Sequence, residues 1–162
     1  MLSWSHALLF LHILAALWLA ASAFGGAVVR AAGKRAPDLA GKVGALRIAH
    51  RLVTLMGLPG SVLAGLTGIL LLFYGPVHWW GVGQQGWVHA SIGLWFVLLA
   101  VNLFYSFPLL AKTVAAAEAS LAAGAPTDEL KRLTAAKLPG IIADINALGV
   151  VIFVLLMVFK PF

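Results

Sequence analysis

Four long stretches of this chain carry almost no charge, and each is long enough to cross a lipid bilayer. They run from about residue 4 to 29, 52 to 73, 87 to 111 and 138 to 159. A helix rises about 1.5 Å per residue, so about 20 apolar residues cross a hydrocarbon core of about 30 Å. The apolar runs are continuous rather than alternating, which argues against membrane-spanning strands. The expected fold is therefore all-α: a four-helix transmembrane bundle, a single domain over residues 1–162. Composition agrees, since 62% of residues are hydrophobic and only 10% are charged, well outside the range of soluble globular domains.

The connections set an orientation. Segment 30–51 holds Arg30, Lys34, Arg35, Lys42, Arg47 and Arg51 against Asp38 alone. Segment 112–137 holds Lys112, Lys131, Arg132 and Lys137 with three acids, and segment 74–86 holds no charge. The positive-inside rule makes the first and third connections cytoplasmic and places both termini outside. Trp79, Trp80 and Trp87 then fall at the outer headgroup belt. Residues 112–123 are expected to carry the third helix beyond the membrane, Gly124 to Pro126 to break it, and Thr127 to open a short helix leading to Lys137.

The net charge of +6 is concentrated in the two inner connections. Anionic lipid headgroups fit it as partners better than nucleic acid does. The expected location is a bacterial-type inner (cytoplasmic) membrane. Without cysteine, the chain offers no disulfide, thiolate metal site or iron–sulfur ligand. Residues 1–29 contain no Lys or Arg and their apolar run exceeds that of a signal peptide, so they read as a retained first helix. Ala21-Ser22-Ala23 weakly resembles a cleavage site.

Ionisable groups inside spans are costly and tend to carry function. His12 sits eight residues inside Trp4, about 12 Å deep. His89 lies two residues past Trp87, toward the same membrane face. Two imidazoles on facing helices suit the axial positions of a b-type haem; the alternative for each is a neutral ring hydrogen-bonded to a neighbouring helix. His6 and His78 sit at the outer edge and read as solvated. His50 stands beside Arg47 and Arg51 at the inner boundary. These two arginines are one turn apart and suit either lipid contact or a carboxylate clamp, for haem propionates or a tetrapyrrole. Asp144 is the one acid within a span, with Arg47, Arg51 or His50 as its expected partner, in an ion pair or a proton relay. Asn102 and Asn146 are expected to hydrogen-bond between helices.

Small residues recur at helical spacing along the spans: Ala16, Ala20, Ala23 and Ala27 below His12, and Gly57, Ser61, Gly65 and Gly68 beyond His50 and Thr54. Gly93 follows His89, and Gly140 and Ala147 flank Asp144. Such stripes allow close helix approach, or equally make room for a flat macrocycle. Their abundance on several helices also makes a homo-oligomer plausible.

Several short motifs resemble a known family: Leu11-His12, Arg51-Leu-Val-Thr-Leu-Met56 leading to Pro59, Leu66-Thr-Gly68, Trp87-Val-His89-Ala90 and the terminal Met157 to Phe162. They resemble the four-helix superfamily of membrane-bound, oxygen-independent protoporphyrinogen IX oxidases and the copper-resistance-D domain. Within it, the chain is most similar to a branch of small predicted integral membrane proteins of unknown function. The resemblance spans almost the whole chain. It implies haem b binding, with His12 and His89 matching the first- and third-helix histidines and Arg51 the basic entrance to the second helix. It also implies redox exchange with quinone or a tetrapyrrole-type substrate. Ser91 stands where the oxidases carry Lys, and Ala136 and Lys137 stand where they carry an Asn-Glu pair. These departures count against protoporphyrinogen oxidase activity itself, and leave haem binding and a membrane-bound oxidoreductase as the implication. The rival readings are a copper-handling protein, for which only Met56 and Met157 lie within spans, and a non-catalytic membrane protein.

Overall fold

The computed structural model describes residues 4–74 and 86–161. Five helices account for nearly all of them: α1 (Trp4–Arg35), α2 (Leu39–Tyr74), α3 (Gly86–Ala122), α4 (Asp128–Ala135) and α5 (Leu138–Phe159). No strand occurs among the described residues, and α1, α2, α3 and α5 are each long and apolar enough to span a membrane. The architecture is the four-helix bundle expected. His78, Trp79 and Trp80 lie outside the described residues.

α1 packs along α2 and against α5, while α3 packs against α2 and α5. The spanning helices thus form a ring, with α1 and α3 on diagonal corners. Large apolar side chains point outward: Phe104, Leu148, Val158 and Phe10 are all exposed. The interior instead gathers small and polar residues, including His12, Ser22, Thr67 and Ser91. That inversion fits a lipid surround, where apolar contact is available outside and close packing decides what sits inside.

The closest approach is between α1 and α2. A side chain at Gly60 would meet the Leu19 backbone nitrogen at 2.8 Å and the Ala15 carbonyl oxygen at 3.2 Å, so only glycine lets the two backbones meet there. The next glycine on the face toward α3, Gly65, lies under the Trp95 ring, whose indole N–H donates to the Ser61 carbonyl at 2.9 Å. At the end of the bundle that holds Trp4 and Phe159, the outer end in the expected orientation, Leu72, Trp87 and Val88 close a small apolar cluster with Ile92 and Leu156.

Helices α2 and α3 exceed a 30 Å core by about 15 residues each. Their inner ends, with α4, build a second core of Val43, Ala117 and Leu130, joined by Leu39, Leu46 and Ala116. Leu39, Val43 and Leu46 recur at amphipathic spacing, so the charges of segment 39–52 lie around one helix rather than along a loop. The first inner connection is consequently short, Ala36 to Asp38. Asp38 caps α2 by accepting from the Gly41 N–H at 2.8 Å. Gly124, at φ 71°, ends α3, and Thr127 caps α4, as the sequence suggested. Ser120 fixes this turn by accepting from the Thr127 N–H at 3.0 Å.

Replacing Gly60 by Ala is expected to wedge α1 from α2 and cost about 1–3 kcal/mol of stability. Gly93, with nothing near its missing side chain, is the control. Thermal unfolding in detergent should show a lowered midpoint for Gly60→Ala and an unchanged or raised one for Gly93→Ala.

Candidate functional site

The outer-half site is built around His12. Its Nδ1 lies 2.9 Å from the Ala64 carbonyl oxygen and 3.1 Å from Thr67 Oγ1. A carbonyl only accepts, so Nδ1 carries the proton. The Thr67 hydroxyl donates to the Leu63 carbonyl at 2.6 Å, which leaves its oxygen free to accept from the same Nδ1–H. This fixes the tautomer: Nε2 holds the lone pair. Gly68 clears space for the ring, since a side chain there would approach Cε1 at 3.1 Å. A ring nitrogen fixed by a backbone carbonyl, with the other left basic, is the arrangement of a metal-ligating histidine. It also satisfies a histidine that only joins two helices.

His89 sits on the exposed side of α3, while its neighbours Trp87, Val88 and Ser91 turn inward. It shares the outer end of the bundle with His12 but belongs to the diagonal helix. No group of three or more His, Cys, Asp or Glu side chains among the described residues is arranged to hold a metal ion.

The inner basic residues form a separate region. His12 meets α2 at Ala64 to Gly68, and Arg51 lies 13 residues from Ala64, about 20 Å along the helix. Arg47, His50 and Arg51 are therefore not brought to the His12 site. Arg47 Nε donates to Glu118 on α3 at 2.6 Å, His50 stacks on Phe107 at 5.6 Å between ring centroids, and Arg51 is exposed. Asp144 is indeed ion-paired, but to Arg30 at 2.7 Å rather than to Arg47, Arg51 or His50. By charge Arg30 groups with the inner connection, whereas α1 continues as a helix to Arg35 and delivers it to α5. Asn102 and Asn146 exchange two amide hydrogen bonds, at 2.9 and 3.0 Å, as expected.

Sequence reasoning meets Thr67 only within the Leu66-Thr-Gly68 motif and gives it no contact with His12, and it does not single out Arg30 as an ion-pair partner. Thr67 stands three residues past Ala64 and beside Gly68, one turn along the face that receives His12, and that register is the available signal. An apolar groove of about 360 Å³ lies on the outer surface of α1, lined by Leu14, Leu17, Trp18, Ala21 and Met56. It presents no polar side chain.

The family model for predicted integral membrane proteins designated DUF2269 matches residues 6–161. The chain belongs to this family. No curated protein and no solved structure matches it. The family's description agrees with the bundle, and the matched residues include His12 and the inner helical extension.

The Arg47 guanidinium, through its hydrogen bond, holds the Glu118 carboxyl below the ordinary carboxylate value. A lowered folded-state value means the pair contributes fully above the unfolded carboxylate range, about pH 4.3. That contribution disappears as pH falls through the folded value. Both side chains are about half exposed, so the effect is small and screened by salt. Glu118→Gln should remove this part of the acid dependence of thermal stability, leaving the two proteins more alike at pH 3 than at pH 7.

Proposed function

We propose that this protein is a haem b-binding integral membrane redox protein, oriented with both termini outside a bacterial-type inner membrane. The observation that carries this reading is the fixed tautomer of His12. A buried imidazole at membrane depth has its Nδ1–H held by Ala64 and Thr67, and Nε2 remains as a base. The superfamily resemblance supports the same assignment.

The residues present fit the group at His12; His89, at the same end of the bundle but on the exposed side of α3, would have to turn inward to serve as the second ligand. When bound, haem supplies one-electron redox chemistry. The chain's own contribution is to hold the His12 ring against α2, keep its proton on Nδ1 and exclude water by burial. Arg51 and His50 are too far along α2 to meet propionates at that site. We assign them, with Asp144 and its partner Arg30, to a distinct inner polar layer suited to carboxylates, lipid phosphates or protons. Quinone, which reaches the protein through the bilayer, is the proposed electron partner, and a tetrapyrrole is the alternative substrate class. The copper reading gains nothing from the arrangement of His and acidic side chains among the described residues. A non-catalytic bundle is the second reading, and the same hydrogen bonds of His12 favour it.

An optical spectrum of the detergent-purified protein, oxidised and then reduced with dithionite, separates these readings. A Soret band with a reduced b-type α-band is expected, weakened or shifted in His12→Ala and in His89→Ala. Full haem content in both variants would refute the ligand assignment. A colourless, metal-free protein that takes up no added haem, and that His12→Ala destabilises, would establish the second reading.

A further inference from the structure

Helices α2 and α3 share an irregularity that the haem reading does not use. In α2 the Leu58 N–H bonds to the Val53 carbonyl, and in α3 the Phe107 N–H bonds to the Asn102 carbonyl. Each is an i to i−5 bond, a π-turn inside an α-helix. Each is followed at once by a proline, Pro59 and Pro108. Proline has no N–H, so helical carbonyls just before it lose their main-chain donor and the helix bends readily there.

The two π-turns lie at one level. The helices are antiparallel, and His50 stacks on Phe107. Residues 53–57 and 102–106 therefore run outward side by side. α1 is weak at the same level. Gly25 and Gly26 are adjacent in it, and a side chain at Gly25 would meet Leu52 at 3.5 Å. Two glycines in a helix interior reduce its stiffness. Ser22 of α1 donates to the Leu52 carbonyl at 3.1 Å, binding α1 to the α2 turn.

Beyond this level the structure is internally tied. Val43, Ala117 and Leu130 form the inner core, Arg47 pairs with Glu118, and Ser120 hydrogen-bonds Thr127. A side chain at Gly33 would meet Ala45 at 2.8 Å, so the end of α1 is seated on the same unit. Its ion pair to α5 is Arg30 with Asp144, whose carboxylate side chain is 77% exposed. Within the α3 π-turn, the Ser106 hydroxyl is buried with no hydrogen-bond partner. A buried unsatisfied hydroxyl disfavours the conformation that contains it, which leaves an alternative bend accessible.

We propose that the inner ends of α1, α2 and α3, together with α4, form a rigid cap. This cap pivots on the membrane bundle about the paired π-turn and proline hinges, and Arg30–Asp144 is the latch that restrains it. The motion belongs to the hinge class, in which a few helix residues absorb the change. It would alter access to the inner polar layer without disturbing the His12 site, and it is independent of any cofactor.

The chain has no cysteine, so spin-label pairs can be placed without background. Lys131→Cys on α4 with Val158→Cys at the outer end of α5 reports cap against bundle. Lys131→Cys with Lys42→Cys reports within the cap. Double electron–electron resonance on the full chain in lipid nanodiscs should give a broad or two-peaked distribution for the first pair and a narrow one for the second. Replacing Pro59 and Pro108 by Ala, singly or together, restores the missing donors and should narrow the first distribution. Asp144→Asn, at an exposed position, should broaden it further. Equal widths for the two pairs, or a first distribution that neither proline replacement narrows, would overturn the hinge.

Discussion

Everything in this bundle depends on the contact between α1 and α2. Gly60 lets the α2 backbone touch the α1 backbone near Leu19, and the polar contacts of the seam depend on that distance. His12 reaches Ala64 and Thr67 on one side of the contact, and Ser22 reaches Leu52 on the other. In hydrocarbon, apolar side chains gain little by leaving lipid for protein. Close packing and hydrogen bonds between helices therefore supply the specificity that a hydrophobic core supplies in water. A bulkier residue at position 60 would separate the helices and lengthen all of these bonds together.

The chain combines two packing regimes. Its outer two thirds turn large side chains outward and keep Ser, Thr, His and Gly inside. The inner extension does the reverse, with Val43, Ala117 and Leu130 buried and charged residues around them. The crossover coincides with the level where α2 and α3 change hydrogen-bond pattern. A π-turn adds one residue to a turn and so rotates the later part of the helix relative to the earlier part. That rotation helps the same helix present a lipid-directed face on one side of the boundary and a water-type core face on the other.

Much of this was legible in the residues. Continuous apolar runs give the four spans, Gly124 and Thr127 mark the turn into α4, and Asn102 and Asn146 find each other because each is a lone amide in an apolar stretch. What escaped had a physical reason. Charge ends a membrane span but not a helix, so segment 30–51 resembled a loop although its apolar residues recur every three to four positions. The same boundary hid Arg30 as the partner of Asp144. The partners of His12 are a backbone carbonyl and a threonine already bonded to its own helix, and neither leaves a mark that can be read without the register between α1 and α2. The spans 52–73 and 87–111 read as unbroken helices, and the common depth of the π-turns before Pro59 and Pro108 emerges only once the helices are laid side by side.

The connection from Ala36 to Asp38 also bears on how the protein is made. With so short a turn, α1 and α2 are a helical hairpin, and the partners of His12 lie 52 and 55 residues later in the chain. During synthesis the imidazole emerges long before Ala64 and Thr67 exist to receive it. A first helix that entered the lipid alone would carry an unsatisfied ring into hydrocarbon. The seam therefore favours α1 waiting at the insertion machinery until the outer half of α2 arrives, so that the two helices partition into the bilayer as a pair. The hydrogen bonds of the bundle's most distinctive site are thus complete only when both helices of the hairpin are in place.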